Sequence, residues 1–230
     1  MELVMESVFV SVNLLIIAKL GDKVLGLVGI TDNYINFAYA IAVGLGIAAA
    51  TLTARRAGEK DKEGMGRTAQ YIILLALFFA VLIGGVSCFF ASEIVDFLGI
   101  NASTVTEGVS FSRLVFLSIG LVILRLSVNG LFRGAGDADI AMKSLWICHI
   151  SNIIFAVILV FGLGFIPAFG LMGLAYATVL SRLLGVLYQA FVFATGKTSI
   201  SIRVPLQLDI PLLQISDHIL LTFPNPRFFG

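Results

Sequence analysis

The sequence predicts an all-α membrane protein with six transmembrane helices. Of its 230 residues, 59% are hydrophobic and only 13% are charged, and the mean hydropathy is +1.03. Soluble domains are about 25% charged. The charged residues gather between apolar segments that approach or exceed the ~20 residues a helix needs to cross a bilayer. We therefore expect the chain to lie in lipid, where helices satisfy their own backbone hydrogen bonds.

Six apolar segments define the predicted spans, at about residues 1–20, 24–53, 68–92, 109–132, 140–162 and 171–195. The first is barely long enough, ends at Gly21-Asp22-Lys23, and has acidic residues where a signal peptide would be basic. We expect it to be the remainder of a first transmembrane helix that is short at its amino end. Residues 1–197 are predicted to form one six-helix bundle, and residues 198–230 a cytoplasmic connector and tail.

Polar segments separate these spans. Residues 55–67 contain most of the charge in the first third of the chain and are predicted to be a water-exposed loop. Residues 93–107 are predicted to be a short polar turn. Gly134 and Gly136 would interrupt a helix that otherwise continues from the fourth span into the fifth, which predicts a tight helical hairpin. Residues 162–170 form a turn without charge.

The lysines and arginines predict the orientation. They concentrate after the second, fourth and sixth spans, whereas the opposite side has few basic residues and several acidic ones. By the positive-inside rule, these even-numbered exits and the amino terminus face the cytoplasm. After Arg203, residues 212–221 have helical apolar spacing but are too short and polar to span, so they predict an interfacial helix.

Composition excludes several function classes. The net charge is +1, so no basic surface favours nucleic acid. The two cysteines, Cys88 and Cys148, lie in apolar runs and have neither disulfide nor metal spacing. No nucleotide-binding loop or nucleophile motif is present. The sequence therefore predicts a protein that is not an enzyme, has no cofactor, and has the lipid bilayer as its first partner.

Three motifs, in order and at matching spacing, resemble multidrug and toxic compound extrusion (MATE) transporters. Arg133-Gly-Ala-Gly-Asp137 resembles the family's loop between the fourth and fifth helices, and residues 54–61 resemble its second-to-third loop. Residues 161–178, with Pro167 and Gly170-Leu-Met-Gly, resemble the fifth-to-sixth connection and the start of the sixth helix. The likeness extends from about Met5 to Arg203.

The resemblance implies a fold and an activity. MATE transporters have twelve helices in two six-helix bundles around a central cavity, and they exchange an organic compound for Na⁺ or H⁺. This chain resembles the amino-terminal bundle alone, so we expect a truncated product or fragment whose partner is a second six-helix half, from missing sequence or a dimer. A bacterial plasma membrane and a small organic substrate follow from the same likeness.

The resemblance also implies candidate binding residues. In part of the family, the coupling cation is bound by an Asp in helix 1, an Asn and an Asp in helix 5, and a Thr in helix 6. The matching positions here are Asn13, Asn152, Ala156 and Thr178. Both carboxylates are therefore replaced. Asn13, Asn152 and Thr178 either contact a polar ligand or form interhelical hydrogen bonds that hold the bundle together.

Asp32 is the remaining carboxylate well inside a span. An intramembrane acid suggests function, because a charge in hydrocarbon is costly unless it binds a proton or a cation. Asp32 is thus a candidate coupling site for Na⁺ or H⁺. The alternative is that it lies near the outer interface and is hydrated.

Other polar residues in the spans are predicted to be structural. Arg125 and Arg182 are expected to reach the cytoplasmic interface as anchors. His149 is either a proton carrier or, as is more common for a lone membrane histidine, paired with a hydrogen-bond partner. Five aromatic residues either line a cavity suited to organic cations or pack elsewhere: Trp146, Tyr34, Tyr39, Tyr176 and Tyr188.

Three functions remain open at this point. The first is cation-coupled efflux of organic compounds by alternating access, performed as the amino-terminal half of an antiporter. The second is a lipid-linked oligosaccharide flippase of the same superfamily, whose cavity would be rich in cationic residues; the few arginines in the spans favour the exporter. The third is a truncated remnant that transports nothing.

Overall fold

The computed structural model describes residues 2–97, 108–163 and 166–201, without the side chains of residues 2–8 and 23. The predicted tail beyond residue 201 and the polar segment 98–107 lie outside this description. Within the described residues there are eight helices: α1 (Glu2–Ala18), α2 (Asp22–Gly58), α3 (Lys62–Phe89), α4 (Ala91–Phe97), α5 (Gly108–Leu117), α6 (Ile119–Gly134), α7 (Ala138–Phe161) and α8 (Gly170–Thr195).

The prediction of an all-α membrane protein is confirmed. Five segments are long and apolar enough to cross a membrane, namely Val24–Gly58, Lys62–Phe89, Gly108–Gly134, Ala138–Phe161 and Gly170–Thr195. The remaining predicted span, the first in the chain, corresponds to α1, whose 17 residues are at the lower limit for crossing. The six-helix count is thus supported approximately. The described residues contain one isolated bridge, between Leu163 and Ile166, and otherwise no extended pairing.

The fourth span is broken at Ser118 into α5 and α6. The Ser118 hydroxyl donates to the Val115 carbonyl oxygen at 2.6 Å, and its backbone N–H is shared between Leu114 and Val115. A serine hydroxyl that bonds back to its own helix commonly bends that helix. The span remains the most buried of the five, with 72% of its apolar window inside the structure.

The prediction that residues 55–67 form a loop is wrong. α2 continues to Gly58 and α3 begins at Lys62, so only residues 59–61 lie between them. Asp61 caps α3 by accepting a hydrogen bond from the Gly64 N–H at 2.8 Å. Two exposed pairs, Arg55–Glu59 and Arg67–Glu63, add weak support four residues apart. Charge here marks helix ends that extend into water.

The prediction of a polar turn over residues 93–107 is also wrong in its first part. Ala91–Phe97 forms the short helix α4, with Ala91 and Val95 buried beneath it. The remainder of the predicted turn lies outside the described residues.

The hairpin between α6 and α7 is as tight as its glycines predict. α6 ends at Gly134, Gly136 adopts φ +88°, and α7 begins at Ala138. A positive φ is the conformation that favours glycine. Gly136 therefore makes the turn, whereas Gly134 is still helical and has a different role in packing.

Asp137, the last residue of the Arg-Gly-Ala-Gly-Asp motif, fastens this hairpin to the segment after α8. Its Oδ2 accepts hydrogen bonds from the Thr198 hydroxyl and the Ser199 N–H, both at 2.7 Å. Its Oδ1 accepts from the Ser199 hydroxyl at 3.2 Å. Ile200, just beyond, is 3% exposed and packs in the cluster that contains Leu131. The motif thus closes one end of the bundle.

Small residues bring α2 and α6 into direct backbone contact. A Cβ on Gly130 would clash with the Gly46 carbonyl oxygen, and one on Gly134 would clash with the Ala50 carbonyl oxygen. Such small-residue contacts are how helices associate closely in lipid. Gly46 and Ala50 on α2 and Gly130 and Gly134 on α6 therefore form this contact.

Candidate functional site

A cavity of about 370 Å³ opens among α1, α2, α5, α6, α7 and α8. Its volume lies within the range of ordinary small-molecule sites, roughly 300–1,000 Å³. Its wall is mostly apolar with a few polar groups: Phe9, Val10, Asn13, Leu14, Ile17, Val28, Asp32, Ile35, Asn36, Tyr39, Phe111, Val115, Val122, Arg125, Cys148, His149, Asn152, Leu174, Thr178, Ser181 and Arg182. The four candidate binding residues from the sequence all lie in this wall: Asn13, Asp32, Asn152 and Thr178.

Two of the four predicted residues, Asn13 and Asn152, belong to one row of hydrogen-bonded side chains, which ends on the backbone of Thr178. The Asn13 amide N–H donates to the Asn152 Oδ1 at 3.3 Å, and the Asn152 amide donates to the Ser181 hydroxyl at 3.1 Å. Ser181 in turn donates to the Thr178 carbonyl oxygen at 3.0 Å. The row joins α1, α7 and α8 and supports the structural alternative for these residues.

The row still leaves an unused acceptor. The Asn13 Oδ1 is buried without a hydrogen-bond partner, which is unusual because buried polar atoms are normally paired. The Thr178 hydroxyl donates to the Leu174 carbonyl oxygen at 2.9 Å, so its lone pairs remain available. These oxygens suit a cation or a hydrogen-bond donor. Neither amide side chain is able to change its charge.

Asp32 lies across the cavity on α2, and its side chain is exposed to it. The carboxylate is close enough to Arg182 for the two charges to attract one another. The two do not form an ion pair, because the described pairs within 4 Å all lie at the α2–α3 turn. Among the described residues, Asp32 thus presents a carboxylate to the cavity without an ion pair within 4 Å.

Arg182 does not extend to the interface, contrary to the prediction. It lines the cavity from α8, and its Nη1 donates to the Ser118 hydroxyl at 2.5 Å. This contact lies where α5 and α6 meet, so the break in the fourth span supplies a partner for the guanidinium.

Arg125 departs further from the predicted anchoring role. It is 4% exposed and lines the same cavity from α6. Gly185 leaves room for it, since a Cβ there would lie 2.9 Å from the Arg125 Cδ. The Gln189 amide fixes the backbone by donating to the Arg125 carbonyl oxygen at 3.0 Å and to the Asn129 Oδ1 at 2.8 Å. The Arg125 Nε and Nη1 have no hydrogen-bond partner.

The predictions for His149 and for the five aromatic residues are met only in part. His149 lines the cavity and packs on Phe9 at 4.4 Å between ring centroids, but its Nδ1 has no hydrogen-bond partner, so the expected partner for that atom is absent. Of the five aromatic candidates, Tyr39 alone contributes to the cavity wall. Tyr34 instead bonds to Ser87 at 2.8 Å between α2 and α3, and Tyr176 packs on Phe169.

The sequence motifs did not indicate Ser181, Asn36 or the position of both arginines in the cavity wall. A pattern was present on α8, where Thr178, Ser181, Arg182 and Gln189 recur at helical spacing on one face. A polar stripe along an otherwise apolar transmembrane helix indicates a face turned away from lipid. That pattern would have placed Arg182 in the bundle.

Together these features define a class: an all-α membrane protein whose helices form one bundle around a partly polar cavity. The MatE family model matches residues 1–158, which is more than half of the chain. The chain belongs to the MatE family. The resemblance noted in its sequence motifs is therefore confirmed.

The chain is similar in sequence to a protein named for multidrug resistance and in fold to a multidrug resistance transporter. The chain is 26% identical over 145 residues to the probable multidrug resistance protein YoeA of Bacillus subtilis (strain 168), covering 61% of the chain and 30% of that protein. An outward-facing multidrug resistance MATE transporter of the MOP superfamily matches with TM-score 0.79 and 27% identity, over 87% of this chain and 44% of the other.

Two further structures bear on mechanism. An inward-facing conformation of a multidrug resistance MATE family transporter matches with TM-score 0.76 and 28% identity, over 84% and 43% of the two chains. A MOP superfamily transporter from Pyrococcus furiosus, described as having a binding pocket of reverse polarity that suggests a different function, matches with TM-score 0.79 and 27% identity over 87% and 44%. The chain thus spans less than half the length of these relatives.

Proposed function

We propose that this lobe exports small organic compounds across a bacterial plasma membrane by alternating access. The observation that carries the proposal is the cavity itself, in which Asn13, Asn152, Ser181 and Asp32 meet inside a lobe of the MatE fold. The similarity to a protein named for multidrug resistance supports export. Relatives solved facing outward and inward support alternating access. The amino terminus then faces the cytoplasm, as the basic residues predict.

The pathway needs a second six-helix half opposite this one. The solved relatives have about twice the length that the chain covers, 44% in one case. Transporters of this kind bind substrate between two repeats that rock against one another. The second half is either further sequence or another copy of the same lobe.

Asp32 is proposed to couple transport to a gradient of Na⁺ or H⁺. It is the sole carboxylate among the described residues of the cavity wall. Binding a cation or a proton there removes the cost of an unpaired charge, so occupancy can be tied to conformation. The free oxygens of Asn13 and Thr178 suit a cation that enters the same cavity.

Reconstituted protein tests the proposal. In liposomes with an imposed Na⁺ or pH gradient, we expect uptake of a fluorescent organic compound that protein-free liposomes lack. Asp32→Asn should remove the dependence on the gradient, whereas Asp96→Asn, an exposed acid on α4, should not. Uptake that ignores the Asp32 substitution would contradict coupling there. Absence of uptake under every gradient would mean that this chain alone does not transport, as expected of a remnant or of a half that lacks its second half.

A flippase of the same superfamily is the second candidate, and one observation favours it. The scarcity of arginines in the spans counted against it, but two of them, Arg125 and Arg182, lie in the cavity wall. Fluorescent lipid in the same liposomes separates the two functions. Movement of the lipid between leaflets would indicate the flippase, whereas its retention in one leaflet would indicate the exporter.

A further inference from the structure

The cavity wall has more positive than negative charge. Among its described residues, the charged side chains are Arg125, Arg182 and Asp32, with His149 beside them. Two guanidinium groups remain charged under any physiological condition. A single carboxylate is unable to neutralise both.

Arg125 lacks the partners that a buried cation needs. It is only 4% exposed to solvent, and its Nε and Nη1 have no hydrogen-bond partner among the described residues. Buried charges are normally paired, because removing an ion from water is costly. Gln189 bonds the Arg125 backbone and Gly185 leaves room for the side chain, and neither neutralises its charge.

Arg182 increases the imbalance. Its positive charge repels that of Arg125, and its attraction to Asp32 does not produce an ion pair within 4 Å. Its hydrogen bond is to the neutral Ser118 hydroxyl. An anion between the two guanidinium groups would relieve their repulsion and supply acceptors for the unused N–H groups.

We propose that Arg125 and Arg182 form an anion-binding site, and that the transported compound has an acidic group, a carboxylate, sulfonate or phosphate. This inference rests on the proposed transport function, since it assigns the substrate class of the same cavity. Guanidinium groups bind such groups through paired N–H···O bonds. The apolar wall, including Ile35 and Val122, would hold the hydrophobic body of the compound.

Three matched probes test the inference. They share a naphthalene ring and have a sulfonate, a neutral hydroxymethyl group or a trimethylammonium group. Binding is measured by calorimetry on the chain in nanodiscs of phosphatidylcholine. We expect the sulfonate to bind most tightly and the trimethylammonium probe least tightly.

Substitutions locate the binding. Arg125→Gln and Arg182→Gln should each weaken sulfonate binding by about 10- to 100-fold, as expected for the loss of a charge-assisted hydrogen bond. Asp32→Asn should strengthen it, because the competing negative charge is removed. This opposite effect keeps the test decisive if Arg125→Gln fails to fold. Arg55→Gln, exposed at the end of α2, is the control that should change nothing.

Two outcomes would overturn the inference in different ways. If the trimethylammonium probe binds most tightly and Asp32→Asn weakens it, the cavity selects cations, and the proposed transport function stands without the anion site. If no probe responds to any cavity substitution, both the anion site and the substrate cavity are wrong.

A final arm identifies the source of the acidic group. Nanodiscs that contain phosphatidic acid offer the phosphate as a lipid headgroup. If this lipid occupies the site, it should weaken sulfonate binding by the wild-type chain and have no such effect on Arg182→Gln. If sulfonate binding is the same in both lipids, the site takes a soluble organic acid.

Discussion

The side chain of Asn152 connects three helices through hydrogen bonds. From α7 it accepts a hydrogen bond from Asn13 on α1 and donates one to Ser181 on α8. Its side chain is 4% exposed, so neither bond is replaced by bulk water when it is lost. Interhelical hydrogen bonds in membrane proteins contribute about 0.6–2 kcal/mol.

We therefore expect Asn152→Ala to lower the free energy of unfolding by about 1–3 kcal/mol, because it leaves buried partners unsatisfied. Asn36→Ala, on the same cavity but with an exposed side chain, is the matched control and should have little effect. Unfolding midpoints in detergent measure both. Equal stability of the two variants would mean that the row does not hold the bundle together.

At this scale the sequence predicted part of the site. Motif matching selected Asn13, Asn152 and Thr178, and the cost of an intramembrane charge selected Asp32; all four lie around one cavity. Whether they bind an ion or substrate stays a prediction. Arg125 was misassigned because helical position alone does not show which neighbour faces it. Its cavity location depends on the space at Gly185, a tertiary feature.

Among the elements, the contact between α2 and α6 depends most on side-chain size. Gly130 lies against the backbone of Gly46, and a methyl group has no room there. We expect Gly130→Ala to destabilise the fold by about 1–3 kcal/mol through overpacking. Gly44→Ala is the control. Gly44 lies on α2 two residues before Gly46, the residue that Gly130 contacts, but it has nothing within 4 Å of its Cβ position. Thermal unfolding would contradict the prediction if Gly130→Ala melted at or above the Gly44→Ala midpoint.

The hairpin between α6 and α7 depends on Asp137. Asp137→Ala removes the acceptors for Thr198 and Ser199, and we expect the unfolding free energy to fall by about 2–4 kcal/mol, since bonds to a charged acceptor contribute more than neutral ones. Asp139→Ala, an exposed acid in the first turn of α7, should cost well under 1 kcal/mol.

Limited proteolysis gives a second readout for Asp137. Loss of its bonds should open the chain after Thr195, where α8 ends, and make that segment a cleavage site. An unchanged digestion pattern in Asp137→Ala would show that Ile200 is held by packing alone.

Element boundaries show where sequence reasoning fails. Each predicted apolar run overlaps a helix of the structure, because apolar runs of this length permit few alternatives. Residues 55–67 were predicted to be a loop on the basis of charge, yet alanine, arginine, glutamate and lysine are strong helix formers. Capping by Asp61 and pairs such as Arg55–Glu59 then extend α2 and α3 beyond the apolar region.

At the level of the whole molecule, we propose that the cavity among the helices holds the transported compound. The MatE fold places it inside the lobe, and its wall combines apolar surface with Asp32 and two arginines. Sequence motifs predicted the family and the lobe. The net positive charge of the cavity depended on which helices bring Arg125 and Arg182 together, and that is visible only in three dimensions.

A substitution that fills the cavity shows whether the compound binds there. Thr178 lines it, and Thr178→Trp would occupy the space with an indole ring, whereas Leu180→Trp places the same ring on α8 at a position 42% exposed and outside the cavity wall. Gradient-driven uptake is measured for both in liposomes, with helix content checked by circular dichroism. We predict that Thr178→Trp loses uptake while Leu180→Trp retains it. Wild-type uptake by Thr178→Trp, with its fold intact, would contradict the account.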